Sequence, residues 1–258
     1  MTGVKAKKSL GQHFLNDENI ACKIIDCILK DLTTNNILEV GPGMGVLTKY
    51  LNQHEHLNIT VVEIDPDFVK YLKNKFLDQN IHIIGNDFLK IDLHKIWQED
   101  MAIVGNFPYN ISSQILFKVL DHVDIVDSLV GMFQKEVAVR ICSGPGTKKY
   151  GILSVLIQAY YHVEYLFTIP PEVFSPPPKV LSGVIKLKRK KMAALNCDEK
   201  LFRTVVKTGF SHRRKTLRNS LKPLIPPDVN YKHPVFSKRA EQLSVQDFVE
   251  LTNMMDKS

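Results

Sequence analysis

The strongest constraint on the fold is an alternation of short apolar segments and amphipathic segments across residues 36–142. Five apolar segments ("NILEV", "NITVVE", "NIHIIG", "MAIVG" and "DSLVGMF") predict strands, and helical periodicity follows most of them. Strands that alternate with helices at this spacing favour a parallel sheet with helices on both faces. An additional helix is predicted before the first strand, over about residues 19–32, with "NDEN" supplying its cap.

The pattern changes after residue 142. "SVLIQAYYHVEYLFTIP" predicts a helix and then a strand, and "VLSGVIKLKRK" predicts another strand beyond the proline-rich "PEVFSPPPKV". Two strands without a helix between them favour an antiparallel strand at the end of the sheet. "LFRTVVKTGF", "RRKTLRNSLKPL" and "SVQDFVELTNMM" predict helices, the last with Ser244 as its N-cap. We therefore expect a mostly parallel α/β domain over residues 1–190 and a small all-α domain over residues 191–258.

Composition is that of an ordinary globular protein, with 44% apolar and 24% charged residues. The sequence has no uncharged apolar run of the length that a membrane span needs, and its N-terminus has no apolar signal core. The four cysteines form no CxxC pair, which favours reduced thiols. We therefore expect a cytoplasmic protein that does not bind membranes.

The net charge of +7 comes from one segment. Residues 186–222 contain 13 Lys/Arg and two acids, whereas the rest of the chain has 21 Lys/Arg and 25 Asp/Glu. Such a segment is either a solvated face or a surface for a polyanion. On a helix, Arg214 and Arg218 at i, i+4, with Arg213 and Lys215 beside them, would form a broad cationic face for a nucleic-acid backbone. Lys5, Lys7 and Lys8 either extend this surface or belong to a disordered basic tail.

A glycine-rich turn, "EVGPGMG", follows the first strand of the alternation. Gly41 and Gly43 would let the backbone adopt positive φ and let a ligand approach, although tight packing explains such a turn equally well. A dinucleotide-binding fingerprint would have glycine where this chain has Val46.

Polar residues end the next three strands. Glu63 lies 20 residues after Gly43, at the position of an acid that accepts hydrogen bonds from a ribose diol. Asp87 is placed to accept from an adenine amino group, and Asn106 ends the fourth strand. Because the carboxyl ends of parallel strands meet at one edge of a sheet, these side chains predict a nucleoside-binding rim.

The motifs "GQHFLND", "EVGPGMGVLT", "VVEID", "GNDFLKID", "GNFPYNIS", "QKEVAVRI", "PEVFSPPPKV" and "FSHRRKTLRNSL" appear in this order. Together they resemble the small-subunit ribosomal RNA adenine-N6,N6-dimethyltransferases, and the resemblance spans nearly the whole chain. It implies a Rossmann-like S-adenosylmethionine-dependent methyltransferase domain, no metal, and a monomer that acts on small-subunit rRNA within the precursor of the small ribosomal subunit.

The resemblance also assigns roles to residues. It implies that His13 and Leu15 belong to a segment that closes over the methionine part of the cofactor, with Gly41 and Gly43 beneath it. Glu63 and Asp87 would hold the ribose and adenine, and Asn106 would contact both cofactor and target. From the residues alone, His13 is also compatible with a structural or capping role.

The stretch Asn106–Tyr109 suits an exocyclic amine as methyl acceptor. The Asn106 amide oxygen and the Phe107 carbonyl can accept its hydrogens, and Pro108 confines the Phe107 carbonyl to an extended geometry. Tyr109 would stack on the target base, and the resemblance implies Phe174 for the opposite face. Phe107 departs from the leucine that is usual in this family.

The sequence therefore predicts dimethylation of two adjacent adenosines in the 3′-terminal hairpin loop of small-subunit rRNA. One alternative is an erythromycin-resistance-type enzyme that methylates one large-subunit adenine. A second is a non-catalytic RNA-binding factor for ribosome assembly. A nicotinamide oxidoreductase is disfavoured by Val46 and by the lack of a proton-relay constellation.

Overall fold

The computed structural model of the chain describes Lys7 and residues 10–191, 195–212, 214–226 and 232–256. These residues form two compact units. The first comprises the chain up to Ala138 together with His162–Arg189, and the second comprises Val139–Tyr161 and the chain from Lys190 onward. The predicted domains, 1–190 and 191–258, share the junction near residue 190 but differ in residues 139–161. They stay a prediction, because compactness alone does not define a domain.

The first unit contains the predicted alternation of strands and helices. Its strands are β1 (Phe14–Leu15), β2 (Asn36–Val40), β3 (Asn58–Glu63), β4 (Ile81–Gly85), β5 (Met101–Asn106), β6 (Val126–Gln134), β7 (Tyr161–Ile169), β8 (Phe174–Ser175) and β9 (Ser182–Arg189). Its helices are α1 (Glu18–Leu29), α2 (Val46–Leu51), α3 (Pro66–Lys75), α4 (Ser112–Asp121) and α5 (Lys135–Cys142), the last continuing into the second unit.

Seven strands form one sheet in the order β4-β3-β2-β5-β6-β9-β7, and β1 pairs with β8 separately. The strands β2 to β6 pair with one another in parallel, whereas β9 pairs with β6 in the antiparallel direction. The predicted fold class, a mostly parallel sheet with an antiparallel strand near its end, is confirmed. The central strands are buried, which explains why they appear as continuous apolar runs.

The order of the strands positions the site. From β2 the chain proceeds outward to β3 and β4, and it then returns to place β5 on the other side of β2. At such a reversal the loops after the two neighbouring strands diverge and leave a crevice at their carboxyl ends. The glycine-rich turn follows β2, and Asn106 ends β5, so both border this crevice.

The second unit contains α6 (Ile152–Tyr160), α7 (Glu199–Ser211), α8 (Leu217–Ser220) and α9 (Val245–Met255). An aromatic group holds part of it together, since the Phe210 ring lies 6.2 Å from Tyr150 and 5.9 Å from Phe248 between centroids. Ser244 is the N-cap of α9 as predicted, with its Oγ accepting from the Asp247 N–H at 3.1 Å. In the described residues, no helix is long and apolar enough to cross a membrane.

The helix predicted over "RRKTLRNSLKPL" is wrong in extent. Among the described residues of this segment, only Leu217–Ser220 are helical, and Thr216 is the N-cap. Arg214 and Lys215 lie in the preceding turn, so Arg214 and Arg218 do not share a helix face. The chain turns here because the Leu217 side chain is buried and its N–H donates to the Lys238 carbonyl at 2.8 Å.

Candidate active site

A cavity of about 710 Å³, open to solvent, lies at the carboxyl ends of the strands. It is lined by nine of the predicted site residues, namely His13, Gly41, Gly43, Glu63, Asp87, Asn106, Phe107, Pro108 and Tyr109. Residues that the sequence did not single out complete the wall: Leu10, Gly11, Gln12, Phe14, Val40, Val62, Ile64, Phe88 and Ile111. Its mostly apolar lining with a few polar groups is typical of small-molecule sites.

The sequence left two explanations open for the glycine-rich turn, tight packing and the approach of a ligand, and the structure supports both. Gly41 and Gly43 have φ of 67° and 53°, which disfavours any side chain. A Cβ at Gly43 would lie 2.8 Å from Phe14 Cε1, so Gly43 is required for packing. A Cβ at Gly41 would meet only Pro108 Cδ, at 3.9 Å, so at Gly41 the backbone stays accessible from the cavity.

Glu63 ends β3 at the wall of the cavity. It is buried, and its two carboxylate oxygens accept hydrogen bonds from the Asp65 N–H at 2.9 Å and the Gly43 N–H at 3.2 Å. Burial raises the pKa of Glu63, and the two N–H donors oppose that rise. A carboxylate has about four acceptor positions, so both oxygens can still accept from a diol.

The Asp87 carboxylate lies beside two apolar side chains that also line the cavity. Its Oδ1 accepts from the Leu89 N–H at 2.9 Å, which sets the direction of the group. Ile64 is 49% exposed, unusual for a large apolar residue, and Phe88 adds an aromatic surface. Apolar side chains and a carboxylate acceptor in one cavity suit a flat heteroaromatic ring that carries an amino group.

Phe107 is held by two facing glycines. Its ring is 1% exposed and lies 5.1 Å from the Phe133 ring. Gly105 in β5 pairs with Gly131 in β6, and a Cβ at either would lie within 2.7 Å of the Phe107 ring. The missing side chains make room for the phenylalanine ring at this position.

Tyr109 presents its ring to the cavity and is anchored by its hydroxyl. The Tyr109 Oη lies 2.5 Å from Ser182 Oγ, and burial raises the Tyr109 pKa, so the phenol is neutral at pH 7. The His13 ring lies 5.7 Å away, nearly parallel at 28°. A rigid aromatic plane therefore stands next to Asn106.

The N-terminal strap, defined here as Lys7 and residues 10–15, runs along this cavity. The Asn106 Nδ2 donates to the His13 carbonyl at 2.6 Å, and His13 Nδ1 lies 2.7 Å from the Pro176 carbonyl. Lys5 and Lys8 lie outside the described residues. Lys7 was expected, with them, either to extend a polyanion surface or to belong to a disordered basic tail. It instead forms ion pairs with Asp65 at 2.7 Å and Asp67 at 2.8 Å.

Leu15 and Phe174 do not line the cavity. They face each other as partners in the β1–β8 pair, and they are 4% and 2% exposed. Leu15 thus ties the strap to the first unit's core, and its part in covering the cofactor stays a prediction. In this conformation the Phe174 ring is not accessible to a base, and its stacking role stays a prediction.

The predicted RNA-contacting residues belong to the second unit. Arg214, Lys215 and Arg218 are exposed, and Arg213 lies outside the described residues. Among the described residues no cluster of three or more His, Cys, Asp or Glu side chains could hold a metal ion.

Comparison with known proteins identifies the family. Residues 3–257 match the family model described as ribosomal RNA adenine dimethylase. A protein of Cytophaga hutchinsonii, named ribosomal RNA small subunit methyltransferase A, is 54% identical over 99% of both chains.

Two solved structures are similar to this chain, each at 25% identity over 93% of it. A dimethyladenosine transferase from Plasmodium falciparum has a TM-score of 0.80 and is covered over 96% of its length. The 23S rRNA methyltransferase ErmE has a TM-score of 0.70 and is covered over 99%. The whole-chain match, with residues of five predicted motifs lining one cavity, shows that this chain belongs to the ribosomal RNA adenine dimethylase family.

Proposed function

We propose that this protein is an S-adenosylmethionine-dependent methyltransferase that dimethylates N6 of two adjacent adenosines in the 3′-terminal hairpin loop of small-subunit rRNA. One observation carries the proposal. A neutral amide acceptor, Asn106, and two carboxylates, Glu63 and Asp87, line one cavity at the carboxyl ends of the strands. Family membership supports rRNA as the substrate, and the name of the Cytophaga relative supports the small subunit.

The residues present suit S-adenosylmethionine. Glu63 would take the ribose hydroxyls, Asp87 the adenine amino group, and Ile64 one face of the ring. The open backbone at Gly41 leaves space for the methionine part, beneath His13 of the strap. The bound cofactor supplies an electrophilic methyl group on a sulfonium sulfur.

The chain's own residues make the target amine more nucleophilic. The lone pair of an adenine N6 is delocalised into the ring, so the amine is a poor nucleophile. Hydrogen bonds from N6–H to Asn106 Oδ1 and the Phe107 carbonyl favour a tetrahedral nitrogen whose lone pair is available. Both acceptors are neutral, so no charge opposes or traps the cationic methyl donor. Methylation leaves a cationic nitrogen that loses one proton to the solvent reaching the open cavity, and one N6–H then remains for these acceptors, which permits the second methylation.

Alignment accounts for most of the remaining catalysis. Holding amine and methyl group in line can supply about 7–11 kcal/mol of the barrier. The Tyr109 ring, fixed by Ser182, is the platform on which the target base stacks, at about 1–3 kcal/mol. An unpaired loop adenine enters such a pocket at lower cost than a paired one.

The proposal extends to the partner and its location. Arg214, Lys215 and Arg218 of the predicted RNA-binding domain 191–258 would contact the RNA backbone. The substrate is small-subunit rRNA within a precursor of the small ribosomal subunit, and the enzyme acts as a cytoplasmic monomer. It works without a metal.

The test uses labelled S-adenosylmethionine, small subunits that lack the terminal-loop methyl groups, and mapping of the modified bases. We expect two dimethylated adjacent adenosines. Label on large-subunit RNA would instead support the erythromycin-resistance-type activity, and no label on any RNA would support an assembly factor without catalysis.

Asn106→Ala tests the acceptor. We expect methyl transfer to fall at least about a hundredfold, as for other lost transition-state hydrogen bonds, while cofactor affinity measured by calorimetry falls much less. Asn58→Ala is the matched control, because Asn58 Nδ2 also donates a hydrogen bond, at 2.9 Å to Asn36 Oδ1, but lies outside the cavity. Unchanged turnover in Asn106→Ala would refute the assignment of the acceptor.

A further inference from the structure

The orientation of the Asn106 side chain is set by the main chain of the strap. Asn106 Nδ2 lies 2.6 Å from the His13 carbonyl oxygen, across 93 residues of sequence. A carbonyl can only accept, so the amide must place its NH₂ group toward His13. The amide is planar, and its orientation therefore leaves Oδ1 as the end that can accept from a target amine. No described residue donates a hydrogen bond to that oxygen.

We infer that the His13 main-chain carbonyl is a positioning group for catalysis, which orients the Asn106 amide for the methyl acceptor. This inference rests on the proposed function. It implies that the strap has two roles: it covers the cavity, and it holds the amide in the one orientation that can activate an adenine amine. Without the strap, the amide can rotate and present its NH₂ group, which would repel the hydrogens of the target.

The position of the His13 carbonyl is secured from both sides along the chain. On the C-terminal side, Phe14 pairs with Ser175, and the Phe14 ring packs 5.1 Å from the Phe68 ring. On the N-terminal side, the Lys7 N–H donates to Gln12 Oε1 at 2.8 Å. The Lys7 ammonium group then connects this end of the strap to Asp65 and Asp67.

Asp65 connects the Lys7 end of the strap to the cofactor side of the cavity. Its side chain is buried, caps α3 through the Asp67 N–H at 3.0 Å, and accepts from Lys7. Its own N–H donates to Glu63 at 2.9 Å. The group proposed to hold the ribose and the segment that orients Asn106 are thus linked through one residue. Lys7 itself does not line the cavity, so its substitution tests the strap without removing a ligand contact.

The first experiment measures the contact without any catalysis. Amide hydrogen exchange is followed by mass spectrometry over residues 10–16 in the protein without cofactor. Asn106→Asp replaces the donor by a carboxylate oxygen facing the His13 carbonyl, so we expect exchange in this segment to accelerate about tenfold or more, the loss of one good hydrogen bond. Asn58→Asp, the matched control, should leave exchange there unchanged. Equal exchange in Asn106→Asp and the wild type would overturn the inference.

The second experiment separates positioning from covering. Lys7→Met loosens the strap at a site remote from the reacting atoms, and single-turnover and steady-state methyl transfer are then measured. If the strap orients Asn106, kcat falls about five- to tenfold together with a rise in the KM for S-adenosylmethionine. A rise in KM with unchanged kcat would show that the strap only covers the cofactor, and would refute the positioning role. The two hypotheses can fail separately. If exchange is faster in Asn106→Asp but the wild-type protein methylates no RNA, the contact is supported and the proposed function is refuted.

Discussion

Replacing Gly131 by alanine should displace the Phe107 ring. Gly131 lies in β6 opposite Gly105 of β5, and a Cβ at residue 131 would come within 2.1 Å of Phe107 Cε2, 2.8 Å of Cδ2 and 2.9 Å of Cζ. The Phe107 ring has no free space to move into, because Phe107 is 1% exposed and its ring packs on the Phe133 ring with centroids 5.1 Å apart. The conflict must therefore be relieved by movement of Phe107 or of its strand.

The expected cost follows from the overpacking of a core, about 1–3 kcal/mol in the free energy of unfolding. For a chain of this size, that corresponds to a fall in Tm of about 2–12 °C. The Phe107 carbonyl belongs to the same residue as the ring, and a displacement of about 1 Å at a reacting centre costs up to about a hundredfold in rate. Urea unfolding and single-turnover methyl transfer measure the two effects.

Gly144→Ala is the matched control, because a Cβ there would meet no atom within 4 Å and its φ is not positive. The decisive variant is the double substitution Gly131→Ala with Phe107→Leu. Leucine has no ring to collide with the new methyl group, so the two changes should compensate and restore stability relative to Gly131→Ala alone. Equal stability of Gly131→Ala and the wild type, or strictly additive losses in the double variant, would refute the reasoning.

Two further predictions concern a buried carboxyl and the stacking ring. Burial raises the pKa of Glu39 from 4.5 to about 8, although Thr48 Oγ1 donates a hydrogen bond to its carboxyl group at 2.6 Å. The folded protein therefore favours the protonated carboxyl group, and the free energy of unfolding is highest at low pH and falls as pH rises toward and through 8. Glu39→Gln should therefore gain in free energy of unfolding relative to the wild type between about pH 5 and pH 8, measured by denaturant titration, and a pH-independent difference would contradict the assignment. Tyr109→Ala should lower affinity for a terminal-loop RNA hairpin about 5- to 150-fold through lost stacking, whereas Tyr109→Phe, which loses only the bond to Ser182, should bind nearly as the wild type in a fluorescence-anisotropy assay. Equal affinities of the two Tyr109 variants would show that the ring is not the platform.

Much of the fold and the rim of the site could be predicted from the sequence. Strand periodicity and the turn "EVGPGMG" are local patterns that can be identified in the sequence. The regular geometry of a parallel sheet then fixes where the residues at the end of each strand lie. Glu63 and Asn106 end strands and Asp87 lies two residues after one, and strand ends in such a sheet converge on one edge. Their common cavity follows from this rule and needs no knowledge of side-chain packing.

Local patterns were less reliable where burial decides the conformation. "RRKTLRNSLKPL" has helical spacing of its charges, but the buried Leu217 and its bond to Lys238 restrict the helix to four residues. Phe174 lies in a proline-rich loop that looks exposed in sequence, yet it is buried against Leu15. Both outcomes depend on residues far away in the chain.

The sequence by itself determined the sheet, the polar strand ends and the neutral acceptor that suits an exocyclic amine. Only the tertiary structure decided which way that acceptor points and why phenylalanine fits beside it. The Asn106 amide is oriented by His13, 93 residues away, and Phe107 occupies space left by Gly131 of the neighbouring strand. Lys7 likewise finds its acidic partners 58 and 60 residues further along the chain. Periodicity is a property of neighbours in sequence, whereas orientation and steric room arise from close packing between segments that the sequence does not place side by side.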